Sequence, residues 1–180
     1  MNETKRLSAR GFPLALALAL TGCGGGGGTG SAPALTPQEH VAQLEASGAL
    51  PKLERTDTIA GIDANANGVR DDIEQYIEKK YTVPAEGAAA MQMARAYQPM
   101  LLVDTNDLAA LDEVAAAAMR GVHCVSLVYP SVERFTEGHR MAMEIEALTT
   151  NTKPRLLAYL AYNKARSGAV SRLPEGDTCD

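Results

Sequence analysis

Leu111, Val114, Ala118, Val122 and Val125 recur at the three- and four-residue spacing of one helical face, and the same period returns along almost all of the chain from Leu35 onward. Strand-like alternation is almost absent, so the chain is constrained to helices that bury apolar stripes against one another. Thr36-Pro37-Gln38-Glu39 is a capping-box pattern with proline in the first turn, and it opens a helix expected to run to about Ser47 and stop at Gly48. Ile73, Tyr76, Ile77 and Lys80 mark a second helix. A third begins near Pro84 with Ala90, Met93, Tyr97 and Leu101 on its stripe, and Pro99 should kink it or split off its last turn. The fourth spans about Asn106 to Val128, ahead of Pro130. Ser131 caps a fifth, expected to bury Phe135, Ala142, Ile145 and Leu148. The sixth, about Lys153 to Arg166, is expected to bury Leu156, Leu157, Leu160 and Ala161. The fold class that follows is all-α, a single irregular or up-and-down bundle of five to six helices. Because the chain has no Trp and only 2 Phe, its core rests on Leu, Ile, Val, Met and Tyr.

The N-terminus has a different character. Lys5, Arg6 and Arg10 precede an apolar run from Phe12 to Leu20 that is too short to span a bilayer, and Leu20-Thr21-Gly22-Cys23 is followed at once by five glycines. This arrangement resembles a bacterial lipoprotein signal. The resemblance implies that residues 1–22 are removed, that Cys23 is diacylated and its new amine acylated, and that the chain is lipid-anchored in the cell envelope. Each buried methylene contributes about 0.8 kcal/mol, so three acyl chains hold a protein at the membrane essentially permanently. Gly24, where an aspartate would retain a lipoprotein in the inner membrane, implies the outer membrane. Residues 23–34 are then the lipidated cysteine and a Gly-rich tether, of which Gly24 to Ala34 spans roughly 18 Å on average. Residues 35–180 form one helical domain, near the common size for a single core.

Loss of three basic residues and one acidic residue with the signal takes the formal charge from −5 to −7. An acidic domain argues against nucleic acid and anionic lipid as partners. Cys124 and Cys179 are an even pair outside the cytoplasm and are expected to form a disulfide that pins the tail Ser167 to Asp180 onto the helix carrying Cys124. A redox or metal role, suggested by His123 beside Cys124, lacks a Cys-x-x-Cys spacing or a second ligand cluster.

Asp63-Ala64-Asn65-Ala66-Asn67-Gly68-Val69-Arg70-Asp71-Asp72-Ile73-Glu74 fits the pattern D-x-[DN]-x-[DN]-G-x5-E and so resembles the calcium loop of the EF-hand family. The resemblance implies side-chain oxygens from Asp63, Asn65 and Asn67, the carbonyl of Val69, a direct or water-mediated contact from Asp71, and both carboxylate oxygens of Glu74 around Ca2+. It also implies that Gly68 makes the sharp turn. An EF-hand has a helix before its loop and an apolar eighth residue, whereas here Thr56 to Ile62 is β-branched and Gly-containing and the eighth residue is Arg70. The segment is therefore more similar to the solitary loop-then-helix motifs of dockerin and thrombospondin type 3 repeats. Those families usually repeat the loop, and this chain carries one. With three formal negative charges among the ligands and Arg70 nearby, affinity is expected at about 10⁻⁴ to 10⁻³ M. The competing account is a plain Asn67-Gly68 turn ahead of first-turn acids, but it leaves Glu74 without a task. A structural role for the ion would be to set the angle at which Leu35 to Ser47 joins the bundle.

The remaining constellations are weaker. Met91 with Met93, and Met141 with Met143, would suit Cu(I) by chemistry, yet residues two apart point about 200° away from each other on a helix, so core packing is expected. His139 is expected to pack at the edge of a core stripe and His40 to lie at the surface. The chain has no Gly-x-Ser-x-Gly, no His-Glu-x-x-His, no phosphate loop and no dinucleotide fingerprint. The preferred reading is a non-enzymatic envelope module that presents a helical surface to an envelope protein partner. The region from Thr149 to Arg155 with Tyr159 and Tyr162 is a candidate for that surface, against the plainer reading of a capped helix with half-buried tyrosines. The alternative is a metal-dependent envelope enzyme with Glu74 or Asp72 as base, which requires acids from another helix to converge beside the loop.

Overall fold

Most helices start where a side chain takes up a free N–H of the first turn. Thr36 and Glu39 form the expected capping box. Asp107 accepts from the Ala110 N–H, Ser131 from Arg134 and Thr152 from Arg155. The second helix has no such cap, but Asp71, Asp72 and Glu74 crowd its first turn and Lys79 and Lys80 its last, as the helix dipole favours. The computed structural model describes residues 34–180, so the signal, Cys23 and nearly all of the tether lie outside the described residues. Among the described residues there are six α-helices and no strand: α1 Pro37–Ala46, α2 Asp71–Lys80, α3 Pro84–Tyr97, α4 Leu108–Val128, α5 Val132–Thr149 and α6 Lys153–Ala165. Pro99 does split off the last turn of α3, which becomes a 3₁₀ turn over Gln98–Leu101.

Thr36–Asp180 is one unit with its own core. The helices α3, α4 and α5 pack on one another, α2 lies against α3 and α5, and α6 packs on the 3₁₀ turn, which makes the bundle irregular. Ala89, Ala90, Ala94 and Ala96 keep α3 thin enough for neighbours on several sides. Ile73, Ile77, Met93, Met141 and Ile145 fill the main core, and Met100, Leu111, Ala118 and Tyr162 form a second, smaller one. The methionine pairs split as their 200° separation requires, with Met93 and Met141 buried and Met143 exposed. By contrast α1 buries none of its side chains and is held through Glu45, which pairs with Arg55 at 2.6 Å and accepts from the Leu53 N–H.

The sixth helix faces the opposite way from the sequence expectation. Leu156, Leu157 and Leu160 are 44%, 54% and 51% exposed, and Ala161 is exposed with them. Arg155 and Tyr162 are buried instead, and Tyr159 meets Tyr97 edge-on with ring centroids 6.5 Å apart. The physical reason lies in the non-helical segment Leu53–Ile62, whose backbone carbonyls have no helical partner. Arg155 donates to the carbonyls of Glu54 (2.9 Å), Thr58 (3.1 Å) and Ile59 (3.1 Å), to Asn151 Oδ1 at 2.8 Å, and to the Glu54 carboxylate. A leucine satisfies none of these acceptors, so the arginine face turns inward. Of the candidate partner surface from Thr149 to Arg155 with Tyr159 and Tyr162, Thr149, Arg155 and Tyr162 are buried, Tyr159 is half-buried, and Lys153 and Pro154 are exposed. Two smaller expectations also fail: Phe135 is 61% exposed at the start of α5, and Val122 is exposed on α4.

The disulfide is present. Cys124 and Cys179, 55 residues apart in sequence, are bonded at 2.07 Å. The tail is further held by the Gln92 amide, which donates to the Thr178 carbonyl at 2.8 Å and accepts from the Asp180 N–H. His123 is committed to this seam, with Nδ1 3.1 Å from the Thr178 hydroxyl. Of the other histidines, His40 is exposed as expected, and His139 is exposed rather than packed.

Candidate functional site

The segment 63–74 folds as a closed loop whose polar side chains turn toward one another. Asp63 Oδ1 accepts from the Asn67 N–H at 3.1 Å and its Oδ2 from the Gly68 N–H at 2.9 Å, so the first residue ties down the turn. Gly68 has φ +84° and Ala66 φ 56°, a pair of left-handed residues that wraps the chain tightly there. Asn65 Oδ1 also accepts from the Asn67 N–H, and Asn67 Oδ1 accepts from the Val69 N–H at 2.9 Å. Glu74 closes the ring from the helix side. Its two carboxylate oxygens accept from Asn67 Nδ2 at 2.7 Å and Asn65 Nδ2 at 3.0 Å. At the base, the Asp71 N–H donates to the Ile62 carbonyl at 2.9 Å, while Asp71 Oδ1 accepts from the Ala64 N–H at 3.0 Å.

The loop thus brings Asp63, Asn65, Asn67 and Glu74 into one hydrogen-bonded set, while Asp71 bonds to the loop backbone at Ile62 and Ala64. Val69, the expected carbonyl donor, is a core residue with its side chain buried between the helices. Among the described residues, no three His, Cys, Asp or Glu side chains gather as a metal cluster. A cation held here must therefore draw on asparagine amides and backbone carbonyls as well as carboxylates, which suits a hard ion and not zinc or copper. Coordination further requires Asn65 and Asn67 to present Oδ1 to the ion, in place of the Nδ2 atoms that now face Glu74.

The residue that departs from the EF-hand pattern proves to be structural. Arg70, at the eighth position, is fully buried; it donates to Asp72 at 2.8 and 3.0 Å and to the carbonyls of Leu148 (3.2 Å) and Thr149 (3.1 Å), which end α5. None of its partners is an expected ligand, and its charge is spent on Asp72 and helix-end carbonyls. Asp72 also accepts from the Glu54 N–H at 2.8 Å. Both oxygens of Asp72 are therefore occupied, and it is not placed to act as a base.

Sequence reasoning missed this buried charge network, in which Arg70 and Arg155 share Glu54 between them. Burial would raise the Glu54 carboxyl, but hydrogen bonds from Thr56 and Arg155 outweigh it and hold it below the ordinary range. The available signal was the spacing of Arg155, Tyr159 and Tyr162, a second face of α6 less apolar than the leucine face. A second cluster was also missed. Glu144 on α5 accepts from the hydroxyls of Tyr76 and Tyr81 and from Lys80 Nζ, closing one end of a cleft of about 610 Å³ that runs past Leu50, Lys52 and Gln75. Burial raises the Tyr81 hydroxyl well above its usual value, and the Glu144 charge adds to the shift.

No family model matches the chain, and no curated protein or solved structure matches it.

Proposed function

We propose that the protein is a lipid-anchored module of the cell envelope, non-enzymatic, whose loop 63–74 holds a structural calcium ion and whose helical surface engages an envelope protein. The observation that carries the calcium reading is the hydrogen-bonded ring of Asp63, Asn65, Asn67 and Glu74, with Asp71 bonded to the Ala64 N–H of the same loop. Bound calcium would replace hydrogen bonds among these groups with coordination and lock the loop against Arg70 and the end of α5. Asp63, Asn65, Asn67, Asp71 and Glu74 would hold the ion with their side chains and Val69 with its carbonyl.

The anchor reading rests on the sequence from Lys5 to Gly28. Support for partner binding comes from Val132 and Phe135, which stand 84% and 61% exposed one turn apart at the start of α5. Commitment of Asp72 to Arg70 weighs against the catalytic alternative. The tests are separable. The mass of the chain extracted from membranes reports acylation at Cys23, and a melting temperature that rises with calcium in the native chain, but not in Glu74→Gln, reports the ion.

A further inference from the structure

The outward face of α6 carries Lys153, Leu156, Leu157, Leu160, Ala161 and Lys164 side by side, and all six are exposed. Three adjoining leucines are poor surface residues, and an exposed apolar face rimmed by polar groups marks a contact site. The charges around it select the contact. From Lys153 to Leu173 the chain has five basic residues and no acidic one, although the sequence as a whole carries 22 acidic residues against 17 basic. Arg155 and Arg166 of those five are paired internally with Glu54 and Asp112. Lys153, Lys164 and Arg172 are left exposed. The net acidity that argues against an anionic surface is therefore a property of the rest of the domain, not of this face.

We propose that this face of α6 rests on the anionic phospholipid surface to which the chain is tethered. Leu156, Leu157 and Leu160 dip below the headgroups while Lys153 and Lys164, about 16 Å apart along the helix, snorkel to phosphates. A second copy of the chain is disfavoured, because two such faces would set lysines against lysines. The proposal rests on Cys23 as the point of attachment: with so short a tether, the bilayer is present at about millimolar effective concentration, so three leucines suffice to orient the domain.

The absence of Trp makes single-Trp reporters clean. Leu157→Trp reports α6, and Phe135→Trp, at an exposed site on α5, is the control. Both are exposed positions, so neither substitution should disturb folding. The mature chain is purified from membranes, and its mass decides the acylation question by itself. It is then held on vesicles through its own acyl chains or, if it has none, through a maleimide lipid on Cys23, the one cysteine outside the disulfide. Vesicles of phosphatidylglycerol with phosphatidylcholine are compared with phosphatidylcholine alone, each with brominated acyl chains as quencher.

The expected result is a blue shift and a loss of about half the emission for Leu157→Trp on the anionic vesicles, less on the zwitterionic ones, and little change for Phe135→Trp on either. The proposal is overturned by no response of Leu157→Trp on either surface, by equal responses at both Trp positions, by equal responses on the two lipids, or by a lipid-independent shift that grows with protein concentration. The last would assign the face to a second copy. A response to added poly-glutamate without one to vesicles would assign it to an acidic protein and overturn the proposal equally.

Discussion

Arg155 reaches back 101 residues to donate to both the backbone carbonyl and the carboxylate of Glu54, and it does so from a fully buried position. This contact ties α6 to the segment that leads into the loop, and it determines which face of α6 turns inward. Arg155→Ala takes the paired cation from the Glu54 carboxylate and leaves the carbonyls of Thr58 and Ile59 without their Arg155 donor, so the expected cost is about 3–5 kcal/mol by urea unfolding. Leu157→Ala, on the same helix but facing outward, should stay within about 0.5 kcal/mol of the native chain.

Gly61 is pinned by the same network. Its φ of +72° is left-handed, and a Cβ there would collide with Arg70 Cδ while lying 2.8 Å from Glu54 Oε2 and 2.9 Å from Arg155 Nη2. Gly68 is equally left-handed at +84°, yet its nearest obstacle is Arg95 Cγ at 3.6 Å. Gly68→Ala should therefore cost only the backbone strain, about 1–2 kcal/mol, whereas Gly61→Ala adds overpacking of about 1–3 kcal/mol. Thermal melts of the two variants check the order.

The Cys124–Cys179 bond closes a loop across a sequence separation of 55 residues. In the chain-entropy model its removal in Cys179→Ala costs about 4 kcal/mol. The tail is then held by hydrogen bonds with Gln92, Arg95, Arg120 and His123, and trypsin should cut at Arg172 much faster than in the native chain.

Glu144 gives the fold a pH dependence of known sign. Burial would raise its carboxyl, but hydrogen bonds from Lys80, Tyr76 and Tyr81 hold it below the ordinary 4.5. A carboxyl lowered by folding stabilises the native state fully above its unfolded value and loses that contribution as pH falls through its folded value. Stability should thus decline below about pH 4.5, and in Glu144→Gln the decline should be shallower, with a cost of about 1–2 kcal/mol at neutral pH.

The helical class, the Pro99 break, the caps at Thr36 and Ser131 and the disulfide are legible in the sequence, because each depends on residues close in the chain or on a single pair of cysteines. The orientation of α6 is not. Local periodicity favours Leu156, Leu157 and Leu160 as the buried face, and only the unpaired carbonyls of a segment about a hundred residues earlier reverse it. The loop shows the same division. Asp63, Asn65, Asn67 and Glu74 are recognisable by spacing, whereas Arg70 reads as a flaw in the motif until the end of α5 supplies its acceptors. Phe135 fails for a simpler reason: it lies at the edge of the α5 stripe, and no helix of the described residues covers it.

Calcium titration of the Thr36–Asp180 unit by calorimetry, with Glu74→Gln alongside, tests the central claim most directly. The account predicts saturable binding at about 10⁻⁴ to 10⁻³ M and a stability gain of about 1–3 kcal/mol at roughly 10 mM calcium, both lost in the variant. Absence of heat and of any melting shift at that concentration, or an equal response from Glu74→Gln, would contradict it.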